Sequence, residues 1–575
     1  MRKIVFLSVL LLLTGIPNAI ASQPEIASGR SDKPVVQAEK FLAVTAHPQA
    51  TAAAHQILKQ GGSAVDAAIA AQMVLTLVEP QSSGIGGGGF MLHYSARKSR
   101  LQAFDGRETA PASALPSLFL DENDMPLSTE QASNDPRSVG VPGLLPMLGM
   151  AHRQHGRLPW ASLIQPAIEL AENGFIISPR LHRLISKDKL ICKRSSTRAY
   201  FCDENAQAKQ AGSLLQNPLL AGSLRQIAAQ GPGALQTGPL ADALIDTLQK
   251  TAADNARLSH ADLQNYQPLE RTPLCRPYRQ YRICGMPPPS AGGVAILQML
   301  NILQQKDIGK YAPDSIDAIH LFSEAGRLAF ADRDRYIADP DTTVAPLDGL
   351  LDNAYLAQRA ALIKTDTSMG TALPGSPVAA PSNGKDVVSE ERPSTSHLTI
   401  VDRYGNIVAL TSSIADAFGS RLMVRGFLLN SQLADFSFQP FMDGQPVANR
   451  VGAGKRPRSA MSPIMVLDRQ QKPVLVLGSA GGPNIINHVA QALVGVLEWQ
   501  QPLQNAVEQY HYGSRNGPTE LEYGKDWSKV LSGLQDRGHQ IETRDITSGL
   551  HGIQRNGKYW RSATDPRREG VASGE

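Results

Sequence analysis

The feature that most constrains this chain is a pair of short strand-like runs hinged on a glycine turn. Thr395-Ser396-His397-Leu398-Thr399-Ile400-Val401-Asp402 and Asn406 to Ser413 both have strand propensity. Between them, Arg403-Tyr404-Gly405 puts glycine where a three-residue hairpin loop wants a positive φ. Centring the hairpin on Tyr404 sets Leu398 opposite Leu410 and Ile400 opposite Val408, so one face is apolar. Thr399 and Thr411 fall on the other face, and Thr395 falls opposite Ser413. Side chains paired in this way have Cβ atoms about 4.5–5.5 Å apart, so a second hydroxyl stands beside that of Thr395.

The sequence in front of the hairpin has a different character. From Thr365 to Pro393 it is rich in Ser, Pro, Gly and Thr and poor in bulky apolar residues. Such a segment cannot bury enough surface to order itself and reads as a flexible tether, about 365–393, ending at Thr395. A hydroxyl residue at a loop-to-strand junction suits an N-terminal nucleophile, whose α-amine is unmasked when the bond before it breaks. The competing reading is an ordinary Thr/Ser pair on a solvated face. A second motif weighs against it. Lys472 to Leu477 reads as a buried strand, followed by Gly478-Ser479-Ala480-Gly481-Gly482-Pro483 and a helix over Asn484 to Leu497, with Pro483 suited to its first turn. Gly481 and Gly482 would present bare N–H groups at a helix N-terminus, a geometry that binds anions and developing oxyanions. Phosphate is the competing ligand, but no lysine accompanies the glycines.

The chain has 575 residues, 42% hydrophobic and 19% charged, which is ordinary globular composition. Its formal net charge of +4 gives no reason to expect nucleic acid or an acidic membrane surface as partner. Arg2 and Lys3, the apolar run Ile4 to Leu13 and the Ala19-Ile20-Ala21 cleavage pattern read as a signal peptide over residues 1–21. That run is too short to span a bilayer, which takes about 20 residues, so a periplasmic or secreted protein starting at Ser22 is expected. The four cysteines, Cys192, Cys202, Cys275 and Cys284, form two close pairs. An even count in an exported chain favours disulfides over buried free thiols, and of three connectivities the local one is expected. No C-x-x-C is present, so no zinc pattern is read, and nothing implies another metal or an organic cofactor.

Residues from about Ala50 to Val78 read as helical, broken near Gly61-Gly62 and restarted by a capping box of Ser63 with Asp66. Gly84-Ile85-Gly86-Gly87-Gly88-Gly89 matches G-x-G-x-x-G formally. A dinucleotide fingerprint needs a helix next, whereas Phe90 to Tyr94 looks like a strand, so the glycines are read as permitting tight backbone packing or positive φ. Residues 150 to 260 alternate helical patterns with polar loops, and Met286 to Gly293 forms a rigid loop before a helix over Val294 to Leu303.

Taken with Thr395-Ser396-His397 and Gly481-Gly482, further motifs make the chain similar to the γ-glutamyltranspeptidase family of N-terminal-nucleophile hydrolases. They are Thr45-Ala46-His47-Pro48, Ser83 to Phe90, Asp105-Gly106-Arg107-Glu108, Met286 to Ser290, Leu428 to Gln432, Lys455-Arg456-Pro457 and Met461-Ser462-Pro463. The resemblance spans nearly the whole mature chain. It implies an α+β fold, a four-layer αββα sandwich. It also implies self-cleavage between Ser394 and Thr395 into a large subunit, 22–394, and a small one, 395–575, that stay associated. The Thr395 hydroxyl would attack the γ-amide carbonyl of a γ-glutamyl compound such as glutathione. Its new α-amine, with an unperturbed pKa of roughly 8, would act as base. Ser413 would orient the nucleophile, and Gly481 and Gly482 would hold the oxyanion. Water or an amino-acid or peptide acceptor would resolve the acyl-enzyme. Arg107 would grip the substrate α-carboxylate with help from Ser459, while Gln432 and Asp435 would take the α-ammonium.

Four positions depart from the family pattern. Ser413 stands where threonine is frequent. Ala415 replaces an Asn or Glu that contacts the α-amino group. Ser459-Ala460 replaces a Ser-Ser pair on the α-carboxylate. The segment from Asp435 to Lys455 is short and lacks a lid tyrosine. Two lost contacts at about 1–3 kcal/mol each would weaken γ-glutamyl discrimination. The alternatives are therefore a broader acylase of glutaryl or cephalosporin type, or a processed but inactive binding protein.

Overall fold

The computed structural model describes residues 26–251, 258–380, 391 and 394–575. The expected signal peptide and most of the second half of the expected tether lie outside them.

Two antiparallel sheets of seven strands face each other. The first runs in the order Val571–Gly574, Leu42–Thr45, Ser394–Val401, Ile407–Ala415, Gly88–Ser95, Arg100–Gly106, Leu269–Arg271. The second runs Gln37–Ala38, Tyr559–Thr564, His551–Asn556, Pro473–Gly478, Ile464–Leu467, Tyr281–Gly285, Leu274–Tyr278. Three apolar cores separate four layers. Helices Pro48–Lys59 and Ala64–Val78 pack with Leu398, Ile400, Val408 and Leu410 on the outside of the first sheet. Val44, Leu92, Val401 and Ala409 meet Met465, Val476 and Ile553 between the sheets. Helices Gly292–Gln305, Ile316–Tyr336 and Ile485–Leu497 cover the second sheet over Ile464, Val466, Leu475 and Leu477. The expected αββα sandwich is the observed architecture.

The hairpin sits at the centre of the first sheet. Leu398 pairs with Leu410 and Ile400 with Val408, the register that the turn implies. Its second face is not solvated, because it lies against the other sheet. His397 fills the gap: its Nδ1 is 2.8 Å from Thr411 Oγ1 and its Nε2 is 3.0 Å from Thr399 Oγ1. A Cβ on Gly478, in the facing sheet, would lie only 2.3 Å from the ring. Burial holds the His397 pKa well below the ordinary histidine value, with His551 adding to the effect, so this neutral ring packs and hydrogen-bonds.

At the open end the register slips. Ser396 faces Ser412, but Ser394 faces Ala415. Thr395 is therefore not squarely opposite Ser413 as expected. The cause is a third segment: the Ile414 N–H donates to the Ser82 carbonyl at 3.3 Å, and the Ser394 hydroxyl donates to the Gln81 carbonyl. Two residues of the second strand, Ser413 and Ile414, therefore stand against the single residue Thr395, a bulge in Ile407–Ala415.

Other readings translate directly. Ser63 and Asp66 form a reciprocal capping box at the start of Ala64–Val78. The glycine run ends in the strand Gly88–Ser95, and a Cβ on Gly87 would meet the Ser413 carbonyl oxygen at 2.2 Å. These glycines serve close backbone approach. Cys192 is bonded to Cys202, and Cys275 to Cys284 across adjacent strands. The first part of the expected tether is pinned, since the Ser368 hydroxyl and Met369 N–H both donate to Glu324 at 2.8 Å. Among the described residues, no helix is long and apolar enough to cross a membrane.

Candidate active site

Thr395 is the second residue of the central strand Ser394–Val401. The residue is 3% exposed, and its carbonyl accepts from Arg568 Nη1 at 3.3 Å. The Ser413 hydroxyl donates at 2.6 Å to the carbonyl of Ser394 and accepts from the Ala415 N–H at 2.9 Å. That carbonyl belongs to the peptide bond preceding Thr395, so the hydroxyl polarises the bond whose rupture would free the Thr395 amine.

A chain of contacts through Arg568 joins Thr395 to Ser479, at the start of the glycine turn. Arg568 Nε donates to the Ser548 carbonyl at 2.9 Å, and the neighbouring Gly549 N–H donates to Ser479 Oγ at 3.2 Å. Gly481 and Gly482 have φ of +127° and +58°. They open a single helical turn, Gly482–Asn484, that runs into helix Ile485–Leu497. Among the described residues neither glycine N–H donates to a protein acceptor. Two free donors at a helix start suit an oxyanion.

A buried charged cluster forms the other part of the site. Arg107 is fully buried at the end of Arg100–Gly106, and its Nη2 donates to Asp435 Oδ2 at 2.6 Å and to the Arg458 carbonyl at 2.8 Å. Gln432 Nε2 donates to the same Asp435 oxygen at 2.6 Å. Arg107 Nη1 makes no hydrogen bond and lies 3.6 Å from Glu108 Oε2. Neither Glu108 oxygen has a hydrogen-bond partner, and burial pushes its pKa up to about 8 against the pull of Arg107. Burial thus favours the neutral form of Glu108, in which it would not compete for Arg107. Burial also raises Asp435 to about 6, opposed by Arg107 and reinforced by Glu391. Ser459 is held by the Met286–Gly293 loop: its N–H donates to the Pro289 carbonyl at 3.0 Å, and its own carbonyl accepts from the Ala291 N–H at 2.7 Å.

The structure thus brings Arg107, Gln432 and Asp435 into one hydrogen-bonded group. Ser413 sits against the Ser394–Thr395 bond, and Arg568 with the Ser548-Gly549 segment connects Thr395 to Ser479, two residues before Gly481. Ala415 ends its strand with φ +75°. Glu108, Arg333, Glu391, Arg458 and Arg568 also belong to this region, and sequence reasoning did not single them out. Glu108 alone carried a signal, as the last residue of the Asp105-Gly106-Arg107-Glu108 motif.

Facing antiparallel sheets between helical layers, with a hydroxyl residue opening a central strand, define the architecture of the N-terminal-nucleophile hydrolases. The chain belongs to the γ-glutamyltranspeptidase family, whose model, Gamma-glutamyltranspeptidase, matches residues 50–575. It is 34% identical over 580 residues to the glutathione hydrolase proenzyme of Bacillus subtilis (strain 168), covering 99% of this chain and 97% of that one. It is 35% identical over 547 residues to the Acylase ACY 1 proenzyme of Pseudomonas sp. (strain SE83), covering 94% of each. Among solved structures, the cephalosporin acylase from Bacillus halodurans superposes with a TM-score of 0.80 at 25% identity, over 96% of this chain and 99% of that one.

Proposed function

We propose that this chain is an exported proenzyme that cuts itself between Ser394 and Thr395 and then hydrolyses or transfers γ-glutamyl groups. The observation that carries the reading is the 2.6 Å hydrogen bond from Ser413 to the Ser394 carbonyl, which belongs to the peptide bond preceding Thr395. In self-cleavage, Thr395 Oγ1 attacks that carbonyl carbon, and Ser413 stabilises the oxyanion. The C–N bond breaks as the nitrogen takes a proton and becomes the Thr395 amine, leaving an ester. Water hydrolyses the ester, giving subunits 22–394 and 395–575.

In turnover the free amine accepts the hydroxyl proton as Thr395 attacks the γ-amide carbonyl, with Gly481 and Gly482 donating to the oxyanion. The leaving amine takes the proton, and water or an acceptor amine releases the acyl group. A zwitterionic head group fits the Arg107–Asp435 pair. Arg107 Nη1 is available to a carboxylate, and Asp435 Oδ1 takes no hydrogen bond among the described residues and can accept from an ammonium. Ser459 and Gln432 complete the contacts. The named relatives support glutathione as one such donor.

A second reading, a broader acylase, is favoured by Ala415 and Ala460, which offer no side-chain hydrogen bond to the head group. The acylase relative supports it as well. Purified protein should run as two bands on a denaturing gel and Thr395→Ala as one. A single wild-type band would sink the self-cleaving reading. Turnover of γ-glutamyl against glutaryl anilide separates the two substrates. Equal use of both would show that the ammonium contacts contribute nothing.

A further inference from the structure

Three side chains outside the candidate active site converge on helix Ile316–Tyr336. His320 and Glu324 stand one turn apart on that helix, so they share a face. His539 reaches them from just beyond helix Ser528–Asp536. One nitrogen from each ring and one oxygen of the carboxylate all lie within 4.8 Å of one another. His320 and Glu324 are fully buried, and His539 is 6% exposed. The closest approach is between His320 Nδ1 and His539 Nε2, at 2.7 Å. No spacing rule shows this grouping in the sequence, because His539 lies 219 positions after His320.

The far nitrogen of each ring is already fixed. His320 Nε2 is 2.7 Å from the Lys364 carbonyl, which can only accept, so the ring carries its proton there. His320 Nδ1 then presents a lone pair towards His539. His539 Nδ1 is 2.8 Å from Thr519 Oγ1, a hydroxyl that can donate or accept. A histidine that binds a metal through one nitrogen gives its other N–H to a carbonyl, carboxylate or water; Lys364 fills that place, and the Thr519 hydroxyl can do the same. Glu324 Oε1 accepts from Arg327 Nε at 3.0 Å and from the Ser368 hydroxyl at 2.8 Å. Among the described residues, Oε2 accepts only the Met369 N–H, at 2.8 Å, so it has a lone pair to give. Two imidazoles and a carboxylate suit zinc and similar transition ions, whereas Mg²⁺ and Ca²⁺ prefer all-oxygen sites.

We propose that His320, Glu324 and His539 bind a divalent transition ion of the zinc type, which staples the part of the chain before Thr395 to the part after it. His320 and Glu324 precede the Ser394–Thr395 bond, and His539 follows it. Two nitrogens on a tetrahedral zinc, with bonds of about 2.0–2.1 Å, lie roughly 3.3 Å apart, so the rings part by about 0.6 Å. His539 moves its proton from Nε2 to Nδ1, where Thr519 Oγ1 accepts it, so neither ring loses a proton. Arg327 disfavours a cation here, and the imidazole bonds therefore supply the affinity. The same site anchors the root of the stretch that leads to Thr395. Lys364, Ser368 and Met369 contact the ligands, and the Ser368 N–H donates to the Arg537 carbonyl at 2.7 Å. The ion thus acts on the joint between the two parts and takes no part in acyl transfer.

The test uses the full chain, purified without a histidine tag and stripped of metal with EDTA. Calorimetric titration with Zn²⁺ should show one ion bound per chain, and His320→Ala and His539→Ala should each weaken binding at least tenfold. Mg²⁺ at the same concentration should not bind. Co²⁺ in place of Zn²⁺ should give the visible absorption of a four-coordinate site, and His539→Ala should lose it. His539→Gln keeps an N–H for His320 Nδ1 but offers no imidazole. It should fold like the wild type and still lose the ion, which covers the case in which His539→Ala fails to fold. In cut and uncut protein alike, Zn²⁺ should raise the urea midpoint of unfolding, and EDTA should reverse the rise. A wild type that takes up no Zn²⁺, or equal affinity in wild type and His539→Gln, would overturn the site and leave the two rings a hydrogen-bonded pair. Binding with no rise in the urea midpoint would overturn the staple. The titration does not depend on cleavage, so an uncut wild-type chain would sink the self-cleaving reading without touching the metal site.

Discussion

Ala415 is held at φ +75°, a region that asparagine tolerates far better than alanine. Its N–H is fixed by Ser413, so the backbone at this position is set by the same hydroxyl that contacts the Ser394 carbonyl. Ala415→Asn should relieve local strain and return an amide to the head-group site. The expected outcome is a roughly tenfold lower KM for a γ-glutamyl anilide, in line with one recovered hydrogen bond to a charged group, and no change for the glutaryl anilide. Glu108 gives a second prediction at this scale. Burial holds its pKa at about 8, so it is neutral below that pH and anionic above it. Once ionised it competes for Arg107 and repels an incoming carboxylate. The KM for the γ-glutamyl donor should therefore climb as pH rises through about 8, and Glu108→Gln should flatten the climb. On the proposed mechanism the Thr395 amine would act on kcat over a similar range, so the two effects separate when kcat and KM are measured individually.

At the level of elements, the turn Ser479 to Pro483 has the least room for change. Gly481 sits at φ +127°, and an added Cβ would come within 2.8 Å of His488 Cε1. A side chain there meets both backbone strain, roughly 1–3 kcal/mol, and a buried ring. Gly481→Ala should lower the melting temperature and, if its N–H serves the oxyanion as proposed, cut kcat on the order of 100-fold with a smaller effect on KM. This turn was legible in the sequence: two glycines and a proline between a buried strand and a helix leave few alternatives. The hairpin register was legible for the same reason, since the Arg403-Tyr404-Gly405 turn fixes which residues face each other. Its last step was not, because the slip at Thr395 depends on Gln81 and Ser82 entering from elsewhere in the chain. Arg333 was hidden more deeply. In sequence it is one basic residue near the end of an amphipathic helix, where a solvated charge that favours the helix dipole is the natural expectation. Only the folded chain shows its guanidinium buried against Asp334 and Glu391.

For the whole molecule, the position of the Ser394–Thr395 bond decides what cleavage can do. Strands from before and after it interleave in both sheets. In the first, Leu42–Thr45 and Gly88–Ser95, from the earlier part, flank the hairpin from the later part on either side. In the second, Tyr281–Gly285 pairs with Ile464–Leu467, and Gln37–Ala38 with Tyr559–Thr564. Pulling the two parts apart would break these ladders and expose the core between the sheets, so one cut bond cannot release either part. Both disulfides, Cys192–Cys202 and Cys275–Cys284, lie before the bond, and among the described residues no cysteine is free. No covalent link therefore crosses from one part to the other once the bond is cut. Cut protein should elute from a sizing column in native buffer as one species of the uncut mass, and it should do so with or without reductant. Denaturant alone, with no reductant, should resolve it into two. Separation in native buffer would mean that the interleaved strands do not hold, and persistence of one band in denaturant would mean that the bond before Thr395 is intact.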